Sequence, residues 1–452
     1  MNLAANTSTQ HAVADLNLDP YWMPFTHNRY FKKHQPLDRL LVGAEGAYYT
    51  TIEGQRLFDC LSGLWCSSLG HRPAKIVEAV KNQLDRADYI PAFQVANPES
   101  FRLAERIADV APGDLNRVFF TNSGSEAVDT ALKIALAYHR LKGDASRTRF
   151  IGREKGYHGV GFGGISVGGM VANRKMFATA MIPGVDHLPH THNLTEMAFS
   201  KGQPAWGAHL ADDLERIVAL HDASTIAAVI VEPMQGSVGV VVPPVGYLKR
   251  LREICDKHGI LLIFDEVITG FGRMGDWFGA QAFGVTPDLI TFAKCVNNGT
   301  VPMGGVIARE GIYDMFMQGP DYAVEFFHGY TYSAHPLAVA AAHATLDILH
   351  EDDVPKRFAT LAAKIESGAH ALKGEPNVID IRNCGAAAAI EMSPLPGQVG
   401  VRGLRVFEEG LKRGMLLRFT GDTIAMAPPV ITTDAELDRM FSTVAEAIRA
   451  AG

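Results

Sequence analysis

This 452-residue chain reads as an α/β protein, with a large domain built on a mostly parallel sheet covered by helices and a smaller α+β domain contributed by both ends. Two observations predict it. Between about residues 75 and 330, short apolar runs alternate with amphipathic stretches, the βαβ pattern of a parallel sheet with helices on both faces. From about residue 335 the alternation gives way to one long Ala-rich helix, a set of short strands and a final helix. The expected boundaries are 1–74 for the N-terminal segment of the small domain, 75–334 for the large domain and 335–452 for the C-terminal small domain.

The elements follow in order. "RVFF" at 117–120 is a strand, and "VDTALKIALAYHR" after it places Val128, Leu132, Ala135 and Leu136 on one helical face. "RFIG", "IAAVIVEP", "ILLIFDE" and "LITFA" supply four more strands, with the helix "VGYLKRLREICDKHG" among them. In the tail, "PLAVAAAHATLDIL" is the long helix, and strands are expected near "VIDIRN", "AAAAIEM" and "MLLRFTGDTIAMAP". No repeat or low-complexity block interrupts the pattern.

Composition narrows the function. At 47% hydrophobic residues and a net charge of -7, with no Lys/Arg-rich run, the chain has a core to bury and no electrostatic footprint for nucleic acid or anionic lipid. The first twenty residues lack the basic and apolar regions of an export signal, and no segment reaches the length of a membrane span. The five cysteines are scattered without the paired spacing of a zinc site or redox dithiol. Small-molecule chemistry in a reducing cytoplasm, without a metal, is the expectation.

In an open parallel sheet, ligands collect at the carboxyl ends of the strands. "GILLIFDEVITG" ends its apolar run at Asp265, and "LITFAKCVNNG" ends at Lys294 before the turn formers Asn297, Asn298 and Gly299. An Asp after a strand ordinarily caps a turn, and a strand-end Lys ordinarily reaches for water. Consecutive strands, however, bring this pair to one sheet edge. A third strand end reads Thr121-Asn122-Ser123-Gly124-Ser125 and opens a helix, whose N-H groups and dipole suit an anion. Ser123 or Ser125 as a simple N-cap, with Glu126 in the first turn, is the plainer account. No Walker lysine follows, which argues against a nucleoside triphosphate. Phosphate site, carboxylate and amine together are what pyridoxal phosphate requires, as the amine forms the Schiff base and the carboxylate keeps the ring nitrogen protonated.

The motifs "TNSGSEAVDTALKIA", "GYHG", "VEPMQG", "LLIFDEVITGFGRMG", "DLITFAK" and "HGYTYSAHPLA" resemble the class III aminotransferases of pyridoxal-phosphate fold type I, in order and spacing from about residue 20 onward. "YWMPFTHNRYF" and "LSGLWCSSLGHRP" look like those that use pyruvate with ω-amino acids such as β-alanine. The resemblance implies that Lys294 is the Schiff-base lysine and proton shuttle, and that Asp265 pairs with the pyridinium nitrogen. It places Val267 beneath the ring, Tyr157 on the other face with His158 beside it, and Ser123, Gly124 and Ser125 at the phosphate. Thr331 reaches that phosphate from a partner subunit, so a homodimer with shared active sites is implied, with pairing of dimers into tetramers left open. Glu232 anchors the hydrogen bonding on the cofactor side.

Three positions depart from the commoner family pattern. Cys295 stands where Gly or Ala is frequent, and Ala334 where Gly is. Ser237 in "EPMQGSVG" replaces a Glu that in 2-oxoglutarate users pairs with an arginine, which argues for another acceptor. That arginine is Arg418, whose guanidinium grips a carboxylate through two parallel hydrogen bonds; an exposed salt-bridge arginine is its plain alternative. Trp65 is expected to wall the pocket opposite, unless it is simply a core tryptophan. A 2-oxoglutarate-dependent aminotransferase and an aminomutase share these motifs and stay as alternatives. A nicotinamide dehydrogenase is suggested by the glycines of "HGVGFGGISVGG", but no clear amphipathic helix follows them as a dinucleotide site requires.

Overall fold

The computed structural model describes residues 16–34 and 36–452. Most of the stretch read above for an export signal, and the start of the expected 1–74 segment, lie outside the described residues.

A seven-stranded sheet forms the centre, in the order Leu115–Thr121, Gly304–Arg309, Leu289–Ala293, Leu261–Asp265, Ile226–Val231, Arg149–Arg153, Val185–Leu188. Every residue of Ile226–Val231, Leu261–Asp265 and Leu289–Ala293 is buried. Helices cover both faces, so these strands are continuous apolar runs without alternation. The helix Gly124–Leu141 buries Ala127, Val128, Ala131, Leu132 and Ala135, while Leu136 is only half-buried.

Two strands of this central sheet escape the sequence reading. Val185–Leu188 is four residues long and carries Asp186 and His187. Gly304–Arg309 begins with two glycines, which ordinarily weaken a strand, and it runs antiparallel to both neighbours. The remaining six strands all point one way, so the sheet is mixed at this one place. The glycines are there for room: a Cβ at Gly304 would stand 2.7 Å from the Ser123 carbonyl oxygen.

The strands Val378–Asn383, Ala388–Met392, Thr423–Met426 and Arg418–Thr420 form a second, antiparallel sheet in that order. A third joins the two ends of the chain: Leu41–Glu45, Tyr48–Thr51 and Arg56–Asp59 are antiparallel, and Met415–Leu416 adds to the last of them in parallel. The helix Pro336–Glu351 packs across Ala74–Arg86 and Pro98–Val110. Among the described residues, no helix is long and apolar enough to cross a membrane.

Candidate active site

Lys294 follows its strand without a break and adopts φ +51°, a left-handed backbone that costs a residue with a Cβ about 1–2 kcal/mol. The turn after it is clamped. The Asn298 side chain accepts the Leu69 N-H at 2.9 Å and donates to the Gly70 carbonyl at 2.8 Å. Burial pushes the Lys294 amine below its ordinary pKa, and Asp265 pulls the other way.

Asp265 ends the neighbouring strand and is 6% exposed. One carboxylate oxygen meets His158 Nδ1 at 2.8 Å, and the other accepts the Val267 N-H at 3.2 Å. A carboxylate only accepts, so Nδ1 carries the proton. His158 Nε2 is buried with no partner among the described residues.

At the third strand end, Ser123 caps the helix by accepting the Glu126 N-H at 3.2 Å, and Glu126 reaches back to the Asn122 N-H at 2.7 Å. Ser125 is not the cap; its Oγ accepts the Val160 N-H at 3.1 Å. The first helical N-H groups, of Gly124 and Ser125, have no acceptor among the described residues, so the positive end of the dipole is open. The walls are close. A Cβ on Gly124 would stand 3.0 Å from Val267, and one on Gly159, at φ +85°, would stand 2.4 Å from Ser125 Oγ.

Glu232 accepts the Tyr157 N-H at 3.1 Å, and burial drives its carboxyl up to about 7. Burial likewise raises the Tyr157 phenol, while Arg418 pulls it down. Gly124, Ser125, Tyr157, His158, Glu232, Asp265, Val267 and Lys294 all line one cavity of about 100 Å³, and Ser237 lines it with them. Open N-H groups, a carboxylate backed by a histidine, and a buried amine fit the phosphate, ring nitrogen and aldehyde of pyridoxal phosphate.

Four expected residues lie outside this cavity, Arg418 among them. Ser123 lies behind the cavity as the helix cap. Thr331 is exposed and outside it, its carbonyl accepting from Tyr89 Oη at 3.0 Å. Trp65 does not wall the opening: it is 5% exposed, in a buried cluster with Met234 and Ile268, which do line the cavity. Its backbone sits at φ +67° and its carbonyl accepts from Cys295 Sγ at 3.2 Å, which makes Cys295 a packing residue here.

Arg418 opens onto an adjoining cleft of about 430 Å³, lined also by Phe25, Tyr30, Leu61 and Leu64. Phe25 of this cleft stands edge-on to Tyr157 of the first cavity, with ring centroids 6.4 Å apart. The residue as a whole is exposed, yet its guanidinium sits deep enough that burial lowers its pKa. No carboxylate among the described residues pairs with it. The part of Phe25 and its neighbours in this cleft was missed in sequence, although the "YWMPFTHNRYF" motif pointed to the segment.

Comparison with known proteins agrees with this geometry. The family described as "Aminotransferase class-III" matches residues 30–448. The chain is 56% identical to an omega-aminotransferase of Caulobacter vibrioides, over 95% of this chain and 97% of that one. It is 54% identical to a beta-alanine--pyruvate aminotransferase of Pseudomonas aeruginosa, over 96% of each. Among solved structures it resembles an amine transaminase from an uncultivated Pseudomonas species in its PLP-bound form, with TM-score 0.88 and 36% identity over 96% of this chain and 99% of that one.

Proposed function

Because this chain belongs to the class-III aminotransferases, we propose that it moves an amino group from an ω-amino acid of the β-alanine kind, or a simple amine, to pyruvate, giving alanine. The observation that carries the choice of acceptor is Ser237, which lines the Lys294 cavity where an acidic partner for Arg418 would otherwise stand. Arg418 is thereby left to a substrate carboxylate. Relatives named for pyruvate at more than half identity support the same acceptor.

The enzyme depends on pyridoxal phosphate, which when bound supplies an electron-poor ring that stabilises charge at the carbon next to the transferred nitrogen. The Gly124 and Ser125 N-H groups would hold its phosphate. Asp265, fixed by the His158 Nδ1 proton, would meet the ring nitrogen, and Tyr157 and Val267 would lie at the two faces. Glu232 holds the Tyr157 loop through its backbone N-H. Lys294 Nζ takes a proton from the donor carbon and returns one to the acceptor carbon. Its burial favours the neutral amine that such a base needs.

The active unit is a homodimer in this reading. Thr331 lies outside its own cavity, next to the exposed Tyr332, and its chain neighbours Gly329 and Ser333 line a cleft with the exposed Phe93 and Phe101, an apolar surface of the kind a second copy covers. The five unpaired cysteines favour a reducing compartment, the cytoplasm.

A panel of acceptors tests the proposal. With β-alanine as donor, the purified enzyme should convert pyruvate to alanine with a higher kcat/KM than it shows for 2-oxoglutarate. The reverse order would overturn it.

A further inference from the structure

The residues His192, Asp380 and Glu391 bring their ligand atoms within 4.8 Å of one another, a spacing that could hold a cation. The cation is already part of the chain. Arg382 Nη1 donates its two hydrogens to Asp380 and Glu391, each at 2.5 Å, with His192 Nε2 standing 2.9 Å away. The residue is 6% exposed. Its other two nitrogens, Nε and Nη2, converge on a single acceptor, the Gly239 carbonyl, at 3.0 and 2.9 Å.

Gly239 belongs to the hairpin closed by reciprocal Gln235 and Val241 backbone hydrogen bonds, both 3.0 Å. Ser237, at its tip, lines the Lys294 cavity. The other side of the hairpin is held by Gln235 Nε2, which donates to the Glu154 carbonyl at 3.1 Å. Arg382 thus ties the hairpin to the strand Val378–Asn383, in the same antiparallel sheet whose edge strand begins at Arg418. One sheet sets both the guanidinium that faces the cleft and the height of the loop that faces the amine.

We propose that Arg382 is the positioning residue for this hairpin and, through Ser237, a determinant of which keto acid the site accepts. The second half rests on the acceptor assignment made above. The first half stands on the geometry alone. Backbone approach here is close: at φ +99°, a Cβ on Gly239 would stand 2.6 Å from Thr423 Cγ2 and 3.3 Å from Arg382 Nη2, so Gly239→Ala displaces the hairpin while leaving the Arg382 side chain itself unaltered.

The test is hydrogen-deuterium exchange of the holoenzyme, comparing wild type, Arg382→Lys and Gly239→Ala. Lysine keeps a charge beside Asp380 and Glu391 but cannot place two donors on the Gly239 carbonyl. In both variants the peptide covering 233–243 should exchange on the order of tenfold faster, the loss of a charge-assisted contact. Peptides from Ile226–Val231 and Thr423–Met426 should keep wild-type rates. Unchanged exchange at 233–243 would overturn the positioning role, as would loosening throughout the sheet in Gly239→Ala. Steady-state kinetics then separate the two halves. The pyruvate to 2-oxoglutarate ratio of kcat/KM should fall several-fold in both variants, with the half-reaction of an amine lacking a carboxylate unchanged. A loosened hairpin with an unaltered ratio would overturn the specificity claim while leaving Arg382 as the residue that holds the loop.

Discussion

Replacing Arg418 with alanine separates the grip on substrate from the stability of the fold. Arg418 has no ion pair among the described residues, and burial already lowers its pKa, so its removal leaves no buried carboxylate unpaired. Stability should stay within about 0.5 kcal/mol of wild type, the usual range for a surface change that breaks nothing. The loss falls on substrate. A charge-assisted contact of this kind contributes roughly 1.5–3 kcal/mol, which corresponds to about a ten- to hundredfold drop in kcat/KM for pyruvate. Amines without a carboxylate make no such contact and should react at nearly the wild-type rate. Stopped-flow measurement of each half-reaction, with a thermal melt alongside, gives both numbers. Equal losses for amines and carboxylates would refute the assignment of Arg418, and a large fall in Tm would refute the claim that it is unpaired.

Borohydride reduction of the yellow holoenzyme followed by peptide mapping should place the label on Lys294, and Lys294→Ala should lose transamination while still binding the cofactor; a label on another lysine would contradict the site. Gly159→Ala should weaken cofactor binding, measured by titration of the apoenzyme, because its Cβ would meet Ser125 Oγ at 2.4 Å; wild-type affinity would show that this wall yields freely. Mixing Lys294→Ala chains with Thr331→Ala chains should restore activity in the hybrid if the sites are shared, and an active monomer at low concentration would exclude sharing. The last concerns acid. Burial alone would raise the Asp380 carboxyl, but the His192 hydrogen bond and Arg382 outweigh it and hold it below the ordinary range. A depressed folded pKa contributes stability above the unfolded value of about 3.9 and loses it as pH falls through the folded one. Asp380→Asn should therefore show a shallower fall in Tm below about pH 4 than wild type; identical slopes would remove Asp380 from the account.

What could be read in advance follows from where each signal lives. Strands buried on both faces are unbroken apolar runs, so "LITFA" and its neighbours stand out, and the placement of Lys294 and Asp265 at strand ends follows from local pattern. Direction within the sheet has no local signature, and Gly304–Arg309, opening on two glycines, could be neither found nor oriented. The bond between His158 and Asp265 joins residues 107 apart in sequence, so the motif containing His158 suggests its presence but not its partner. Arg382 illustrates the opposite trap. In "VIDIRN", Asp380 and Arg382 alternate with isoleucine as a half-exposed strand would, yet both faces are buried and the polar one is satisfied internally. Trp65 was expected at the pocket wall because of its motif, and its left-handed backbone, which turns it into the core, is not written in that motif.

The parallel pairing of Met415–Leu416 with Arg56–Asp59 has a consequence for how the molecule is made. Roughly 350 residues separate the two strands, and at ribosomal speeds of about 5–20 residues per second the early hairpin waits on the order of twenty to seventy seconds for its last neighbour. Until then the edge of Arg56–Asp59 is an open template for foreign strands. Arg418 comes two residues after the end of the strand that closes it, so the edge is sealed and the cleft completed in the same stretch of synthesis. A nascent chain stalled before residue 415 would expose that edge and lack Arg418.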